Sequence, residues 1–303
     1  MPHSANAWVR WGIDCFRRIA AQMDQTVLLL AVYCPAIFAA AILGGRLSVL
    51  GALTHTRTQV IMSLVAGFIL GIALYHLLPH GLELIPGPEN IEHGMLWTAL
   101  GIIFMVALQR IFQFHQHDFS SEAQALQDRQ GHSTAAVGAS SVAGIAFGLA
   151  VHTITEGVAL GASVQESVHT TTIGALPGLG VFLAILLHKP LDAYSILSVM
   201  RSAGYRRKTR NIVNIAFALL CPVVALGTFW LGTQLGPTGG GELAGYALCF
   251  AAGAFLCVAL SDVLPEIHFH THDRFKLIIV FLVGIGLAYA LHFVEAGAMH
   301  EGH

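Results

Sequence analysis

Two histidine–carboxylate pairs in the middle of the chain constrain its fold more than any other feature. His152 precedes Glu156 by four residues, and His188 precedes Asp192 by the same spacing. Side chains four residues apart lie on one face of an α-helix. Each pair lies near the midpoint of an apolar run long enough to cross a bilayer, where an ionisable group is costly and marks a functional site. The pattern predicts that these four side chains bind a divalent metal ion.

The composition agrees with a membrane protein. Of the 303 residues, 55% are hydrophobic and 11% are charged, against about 25% charged residues in an ordinary soluble domain. Apolar runs of about 20 residues have the length that a transmembrane helix needs. We therefore predict an all-α membrane protein with eight transmembrane helices, near residues 26–44, 59–81, 95–113, 138–163, 171–199, 210–235, 243–267 and 275–295.

The domain organisation follows from these spans. Residues 1–25 are expected to be an extracytoplasmic lead-in without a signal peptide, and residues 26–303 a single eight-helix transmembrane domain. The longest connection, 114–137, is polar and contains His115, His117 and His132. It is interpreted either as a flexible cytoplasmic linker or as a weak metal-collecting segment, because histidine-rich segments can bind metals.

The basic residues predict the orientation in the membrane. The connections after the second, fourth and sixth spans contain no lysine or arginine. Because basic loops stay in the cytoplasm, both termini are expected outside, against the direction suggested by three N-terminal arginines. The connections after the first, third, fifth and seventh spans, together with the span ends beside them, contain Arg46, Arg57, Arg110, Arg129, Arg201, Arg206, Arg207, Lys208, Arg210, Arg274 and Lys276.

The second and seventh spans contain similar sequences. Residues 66–80 and 252–266 align without a gap, and both segments end in a polar residue, a variable residue, Leu-Pro and a second polar residue. The polar positions are His76 and His80 in one segment and Asp262 and Glu266 in the other. Since the two spans run in opposite directions, we predict inverted repeats, a common plan of secondary transporters.

Polar residues beyond the central site suggest a path for the ion. Prolines near the polar residues of the second, fifth and seventh spans leave backbone carbonyls without their usual hydrogen-bond partners. Such carbonyls are tolerated at membrane depth only beside protein or water. The alternative for the polar residues at the ends of the second and seventh spans is a role as interfacial helix caps. The alternative for His268, His270 and His272 is a solvated turn. The predicted entrance contains His76, His80 and Glu83, and the predicted exit contains Asp262, Glu266, His268, His270 and His272.

These motifs resemble those of the ZIP (Zrt/Irt-like) family of divalent-metal transporters. His152-Thr-Ile-Thr-Glu-Gly157 is similar to the family's His-Asn-x-x-Glu-Gly motif on helix four, and His188-Lys-Pro-Leu-Asp192 to its His-Glu-x-x-x-Glu motif on helix five. His76-Leu-Leu-Pro-His80 and Leu264-Pro-Glu-Ile-His268 resemble its motifs on helices two and seven. The resemblance implies a 3+2+3 arrangement of helices, termini outside, uptake of Zn²⁺, Fe²⁺ or Mn²⁺ into the cytosol, and frequent homodimers.

The chain departs from this family pattern at the residues of a second metal. Many family members bind that metal with an asparagine, a carboxylate and sometimes a glutamate, and here the corresponding positions are Thr153, Lys189 and Cys221. A protonated lysine offers no lone pair and repels a second divalent ion. We therefore predict a single-metal site in which Lys189 replaces the second cation. The alternative is a neutral lysine that acts as a pH-dependent gate.

Ligand chemistry gives the expected substrates. Two imidazoles and two carboxylates suit tetrahedral Zn²⁺ but also accept Fe²⁺, Mn²⁺ or Cd²⁺, each as transported substrate rather than as cofactor. Because histidine changes charge near neutral pH, protons are expected to replace the metal in the returning carrier. The short loops favour a bacterial inner membrane. The expected partners are metal ions, lipid and a second subunit, and no nucleic acid.

Two other classes of protein use similar residues. An intramembrane metal-dependent hydrolase places histidines and carboxylates on neighbouring helices, but it needs an open coordination position for water. A haem-b carrier uses paired histidines and leaves the carboxylates without a role. We therefore expect a transporter and not an enzyme, while the sequence leaves open the physiological metal, a carrier or a channel mechanism, and the oligomeric state.

Overall fold

The computed structural model describes residues 26–46, 55–112, 139–166, 176–269 and 274–297. Within these ranges the regular secondary structure is entirely helical. The second helix, α2, contains an α-helical part His55–Ile72, a π-helical turn Ala73–Leu77 and a final part Leu78–Leu84. The other helices are α1 (Thr26–Arg46), α3 (Asn90–Phe112), α4 (Ala139–Glu166), α5 (Leu179–Ser202), α6 and α7 (together Arg207–Phe269) and α8 (Arg274–Gly297).

Helices α6 and α7 are separated by a break at Gly236. Its φ of 74° and ψ of −178° lie outside the helical region. A positive φ of this kind is accessible to glycine because glycine has no Cβ atom. The break divides the run into two apolar segments, Arg207–Gly236 and Gly239–Ser261.

Seven helices in the described part of the chain are long and apolar enough to cross a membrane. The eighth helix, α8, contains the apolar segment Phe275–Leu291. The predicted start of the fifth span at residue 171 was too early, because residues 176–178 are not helical and α5 begins at Leu179. Gly178 adopts a left-handed conformation with a φ of 70°, which ends the preceding loop.

Helix pairs α2/α8 and α3/α7 cross at closely packed glycines. A methyl group on Gly67 would overlap the carbonyl of Phe281, and one on Gly284 would overlap the carbonyl of Leu64. The same relation holds between α3 and α7, where Gly253 faces the Thr98 carbonyl and Gly101 faces the Phe250 carbonyl. Small residues allow helix backbones to approach closely in a membrane protein. The two crossings therefore use equivalent contacts.

The largest buried apolar cluster contains residues of α1, of α2 and of every helix from α4 through α8. Helix α5 contributes Val181, Phe182 and Ile185 to this cluster, and Tyr33 of α1 stacks on Phe182 with ring centroids 4.1 Å apart. Helix α4 lies against α6, since a methyl group on Gly157 would meet the Cys221 carbonyl. This packing places the polar segments of α4 and α5 in the protein interior.

Candidate metal centre

Four buried side chains from α4 and α5 form one cluster. His152, Glu156, His188 and Asp192 each offer a nitrogen or oxygen atom, and these atoms lie within 4.8 Å of one another. The exposed fraction is 5% for His188 and 1% or less for the other three. The i, i+4 spacing on each helix and the contact between the helices bring the four together. In the described residues this is the one group of at least three potential ligands.

His188 is oriented by a backbone carbonyl on its own helix. Its Nδ1 donates a hydrogen bond to the carbonyl oxygen of Ala184 at 2.5 Å. The other ring nitrogen, Nε2, contacts Glu156 Oε1 and lies 3.8 Å from Asp192 Oδ2. A hydrogen bond of this kind fixes the ring and the nitrogen that faces the metal in many metal sites. Nε2 is therefore the atom of His188 that is available to a ligand.

Glu156 is the centre of the cluster. Its Oε1 contacts His188 Nε2 and lies 3.0 Å from His152 Nε2, while its Oε2 lies 2.5 Å from Lys189 Nζ. A carboxylate oxygen and an imidazole nitrogen attract each other through a shared proton or a shared metal ion. The position between Glu156 and the two rings is thus suited to a positive charge.

Lys189 lies on the opposite side of the Glu156 carboxylate and is fully buried. Its ammonium donates to Thr153 Oγ1 at 2.7 Å, lies 3.8 Å from Asp192 Oδ2, and lies 4.6 Å from the centroid of the Phe217 ring. Cys221 is also fully buried. The structure thus brings Thr153 and Lys189, two of the residues predicted at the second-metal position, into direct contact beside Glu156.

The donor set fits a tetrahedral zinc ion. Zinc lies about 2.0–2.1 Å from nitrogen and oxygen ligands, so the four ligand atoms of such a site are about 3.3 Å apart. The cluster, whose atoms lie within 4.8 Å of one another, needs only small side-chain shifts to reach that spacing. Two carboxylates, one ammonium and one divalent ion leave a single net positive charge, and buried charges require such compensation.

The predicted entrance residues lie along the end of α2. His76 is buried in the π-helical turn, and its Nε2 contacts the Ala288 carbonyl oxygen at 3.1 Å. The His76 and His80 rings are 6.5 Å apart, and Glu83 is exposed. Pro79 lacks the N–H that would bond to the fourth residue before it, which accounts for the irregular turn. None of the three belongs to the central cluster.

The predicted exit lies outside the residues whose side chains are described. The α7 backbone is helical through Asp262, Glu266 and His268, but their side chains are outside the described set, as are His270 and His272 entirely. The lead-in 1–25 and the loop 114–137 also lie outside it.

Sequence reasoning missed three contacts of the predicted site residues. These are the Ala184 carbonyl behind His188, the Phe217 ring beside Lys189 and the Ala288 carbonyl beside His76. The last two belong to other helices, and no spacing along the chain indicates them. Ala184 lies one helical turn before His188, so the spacing itself was the available signal.

Comparison with known proteins identifies similar sequences. The family described as "ZIP Zinc transporter" matches residues 113–292, more than half of the chain. "Zinc transporter ZIP9-A" of Xenopus laevis is 33% identical over 181 residues, which cover 58% of this chain and 54% of the relative. "Zinc transporter ZIP9" of Macaca fascicularis is 35% identical over 133 residues, covering 42% and 54%. "Zinc transporter ZIP1" of Bos taurus is 28% identical over 183 residues, covering 60% and 51%. The chain spans about half the length of these relatives.

Proposed function

We propose, because the chain belongs to the ZIP zinc transporter family, that this integral membrane protein carries Zn²⁺ across the bilayer. The observation that supports this function is the buried cluster of His152, Glu156, His188 and Asp192. These are the proposed metal ligands, two from each of two neighbouring helices. Buried ionisable groups in a membrane segment are costly, and a bound cation offsets that cost.

We propose that the site holds one metal ion at a time. The Lys189 ammonium contacts both Thr153 and Glu156 Oε2. A second divalent ion beside Glu156 would have to displace that ammonium or lie against it. Two like charges about 4 Å apart repel each other strongly in a medium of low dielectric constant. Lys189 thereby takes the place of a second cation and leaves Oε1 of Glu156 for the transported ion.

The path of the ion is proposed from the positions of the remaining polar residues. His76 lies near the start of α5, since a methyl group on Gly180 would lie 3.3 Å from His76 Nδ1, and the His80 ring lies 6.5 Å from that of His76. We assign these two histidines and Glu83 to the outer entrance. Asp262, Glu266, His268, His270 and His272 remain the proposed exit. Exchange of ligands along such a path replaces the hydration shell of the ion in steps.

The arrangement of helices is proposed to be 3+2+3 with inverted repeats. The equivalent glycine crossings support it, because α2 contacts α8 through Gly67 and Gly284 as α7 contacts α3 through Gly253 and Gly101. A pseudo-twofold relation between α1–α3 and α6–α8 exchanges these two pairs. Helices α4 and α5, which contain the cluster, then lie between the repeats, as in other transporters built from repeats.

The orientation is proposed from the basic residues, with both termini outside and metal moving into the cytoplasm. Arg46 at the end of α1 and Arg207 and Arg210 at the start of α6 line one cavity, which places these two helix ends together. Basic residues at one set of helix ends are expected on the cytoplasmic side. The homodimer and the bacterial inner membrane remain predictions; the three relatives compared above come from vertebrates.

The ligand set also bears on selectivity and coupling. Since it lacks a thiolate, we propose that Fe²⁺, Mn²⁺ and Cd²⁺ compete with Zn²⁺. We also propose that protons occupy the position between Glu156 and the two imidazoles when the metal leaves. Uptake that does not change between about pH 5.5 and 7.5 would contradict this coupling, because histidine changes charge in that range.

Zinc uptake into proteoliposomes tests the proposed function. His152→Ala and Asp192→Ala should each abolish uptake, because each removes a proposed ligand. His93→Ala is a matched control, since His93 also pairs with a carboxylate four residues away, Glu89, but lies exposed on α3. Hydrolysis of a lipid or peptide without zinc uptake would instead identify the metal-dependent hydrolase. A haem spectrum would identify the haem carrier.

A further inference from the structure

A second polar site lies at the ends of α1, α5 and α6. It is a cavity of about 360 Å³, within the range of about 300–1,000 Å³ found for small-molecule sites. Three arginines line it: Arg46 at the last residue of α1, and Arg207 and Arg210 in the first turn of α6. The metal cluster and this cavity share no residue. The cavity is therefore separate from the proposed zinc site.

The positive charge in the cavity is not balanced by the described part of the chain. No aspartate or glutamate lines the cavity, and none of the three arginines has an ion pair with a described carboxylate. The Nε and Nη1 atoms of Arg210 are buried and have no hydrogen-bond partner among the described residues. The N–H groups in the first turn of a helix add partial positive charge at the same end. Such an arrangement favours an anion.

A buried amide lies beside these arginines. Asn214 lines the cavity with an exposed fraction of 6%, and its Oδ1 has no hydrogen-bond partner in the described chain. Its Nδ2 lies 3.5 Å from the Ile42 carbonyl oxygen. Buried polar atoms are normally hydrogen-bonded, and each exception calls for an explanation. A ligand with both an anionic group and a hydroxyl group would satisfy Arg210 and Asn214 together.

Apart from Gly45 and the exposed Asn211, the remaining wall of the cavity is apolar and reaches the exposed surface of α6. Ile42, Leu197 and Ile215 also line it, and 48% of Ile215 is exposed. The adjacent Ile212, one turn before Ile215, is exposed as well. A free phosphate ion has no use for an apolar wall, whereas a phospholipid has acyl chains directly attached to its headgroup. Basic cavities between transmembrane helices are suited to anionic headgroups.

We propose that this cavity binds the phosphate of an anionic, hydroxyl-bearing phospholipid headgroup, such as that of phosphatidylglycerol. Arg207 and Arg210 hold the phosphate, and Arg46 adds positive charge from α1. The acyl chains of the lipid lie along Ile215. The bound headgroup joins the ends of α1 and α6 beside α5, the helix that contains His188 and Asp192. The lipid is thus bound at a specific site and differs from the surrounding bilayer lipid.

Native mass spectrometry of the full chain in a neutral detergent tests this proposal. Phosphatidylglycerol should bind at least about tenfold more tightly than phosphatidylcholine, and the double variant Arg207→Gln/Arg210→Gln should lose about 10- to 30-fold in affinity. Lys208→Gln is the matched control, because Lys208 is exposed between the two arginines and does not line the cavity. It should bind phosphatidylglycerol like the unchanged protein.

A second variant and a second ligand keep the test decisive. Arg46→Gln changes the other helix and should also weaken phosphatidylglycerol binding, whether or not the double variant folds. Stabilisation against heat by phosphatidylglycerol, with none by millimolar inorganic phosphate, identifies the lipid as the source of the anion. Equal stabilisation by inorganic phosphate would overturn the lipid assignment. Equal binding of the two lipids, or an equal loss in Lys208→Gln, would overturn the site itself.

Discussion

The ammonium of Lys189 lies 2.5 Å from one oxygen of the Glu156 carboxylate, whose other oxygen contacts the imidazoles of His152 and His188. One carboxylate thus lies between a fixed cation and the proposed position of the transported ion. The fixed cation neutralises part of the charge of the buried cluster when the metal has left. We propose that it also prevents a second metal ion from binding on its side of Glu156.

Replacement of Lys189 by a carboxylate should create a second metal site. In Lys189→Glu the ammonium is replaced by an acidic group near Glu156, Asp192 and Thr153, and oxygen ligands of this kind bind divalent ions. We expect bound zinc to rise from one to two ions per chain, measured by elemental analysis after dialysis. Lys208→Glu, at an exposed position of α6, should remain at one. One ion per chain in Lys189→Glu would refute the proposed role of Lys189.

Loss of the Thr153 hydroxyl should destabilise the protein without removing the metal. Thr153→Val keeps the shape of the side chain but removes the oxygen that accepts a hydrogen bond from Lys189. A hydrogen bond to a charged group contributes about 1.5–3 kcal/mol, and we expect that decrease in the free energy of unfolding in detergent.

The neighbouring threonine provides the control for this change. Thr155 is also buried in α4, but its hydroxyl bonds to the Val151 carbonyl of the same helix. Thr155→Val should therefore have the smaller effect. Zinc stoichiometry should stay at one in both variants. Equal destabilisation by the two changes would show that the Thr153–Lys189 contact adds no stability.

Neutralisation of Glu156 should weaken zinc binding and folding together. Glu156→Gln removes the oxygen charge shared by both imidazoles and leaves Lys189 with Asp192 Oδ2 at 3.8 Å. Loss of even an outer partner of a metal ligand costs about 10- to 100-fold in affinity, so loss of this ligand should cost at least about 100-fold. Removal of one member of a buried ion pair should lower the free energy of unfolding by about 3–5 kcal/mol.

The two effects of Glu156→Gln can be measured independently of transport. Competition with a zinc-binding dye gives the affinity, and denaturant titration in detergent gives the stability. Glu92→Gln changes an exposed carboxylate on α3 and should alter neither. Unchanged zinc affinity in Glu156→Gln would remove this residue from the ligand set.

The glycine crossings predict paired effects in the two proposed repeats. Gly67→Ala and Gly253→Ala each place a methyl group against a backbone carbonyl of the opposite helix. Overpacking of this kind costs about 1–3 kcal/mol, and equivalent positions should show similar losses of stability. Gly286→Ala on α8 meets no atom within 4 Å and should be neutral or stabilising. A large loss in one crossing and none in the other would contradict the equivalence of the two contacts.

The helical class and the two histidine–carboxylate pairs were accessible from sequence because both follow from patterns within single helices. The i, i+4 pairs place His152 over Glu156 and His188 over Asp192 without reference to the rest of the chain. The start of α5 was not accessible in this way, because the apolar run continues through residues that the turn at Gly178 keeps out of the helix. The pattern of apolar residues gives no sign of such a turn.

Contacts between distant residues were likewise beyond the sequence. Two of the three partners of the Glu156 carboxylate, His188 and Lys189, depend on how α4 packs against α5, and His76 meets a carbonyl 212 positions away. The cavity lined by Arg46, Arg207 and Arg210 forms only when α1 and α6 end side by side. From the sequence, these arginines were predicted only to lie on the cytoplasmic side, and nothing indicated that they form one site.

X-ray absorption at the zinc edge, on the purified chain loaded with one equivalent of zinc, tests the central claim most directly. We predict four ligands at about 2.0–2.1 Å, two of them imidazoles and none of them sulfur. The imidazole contribution should fall by half in His152→Ala and remain complete in His93→Ala. A sulfur shell near 2.3 Å, or a spectrum unchanged by His152→Ala, would contradict the claim that these four side chains bind the transported ion.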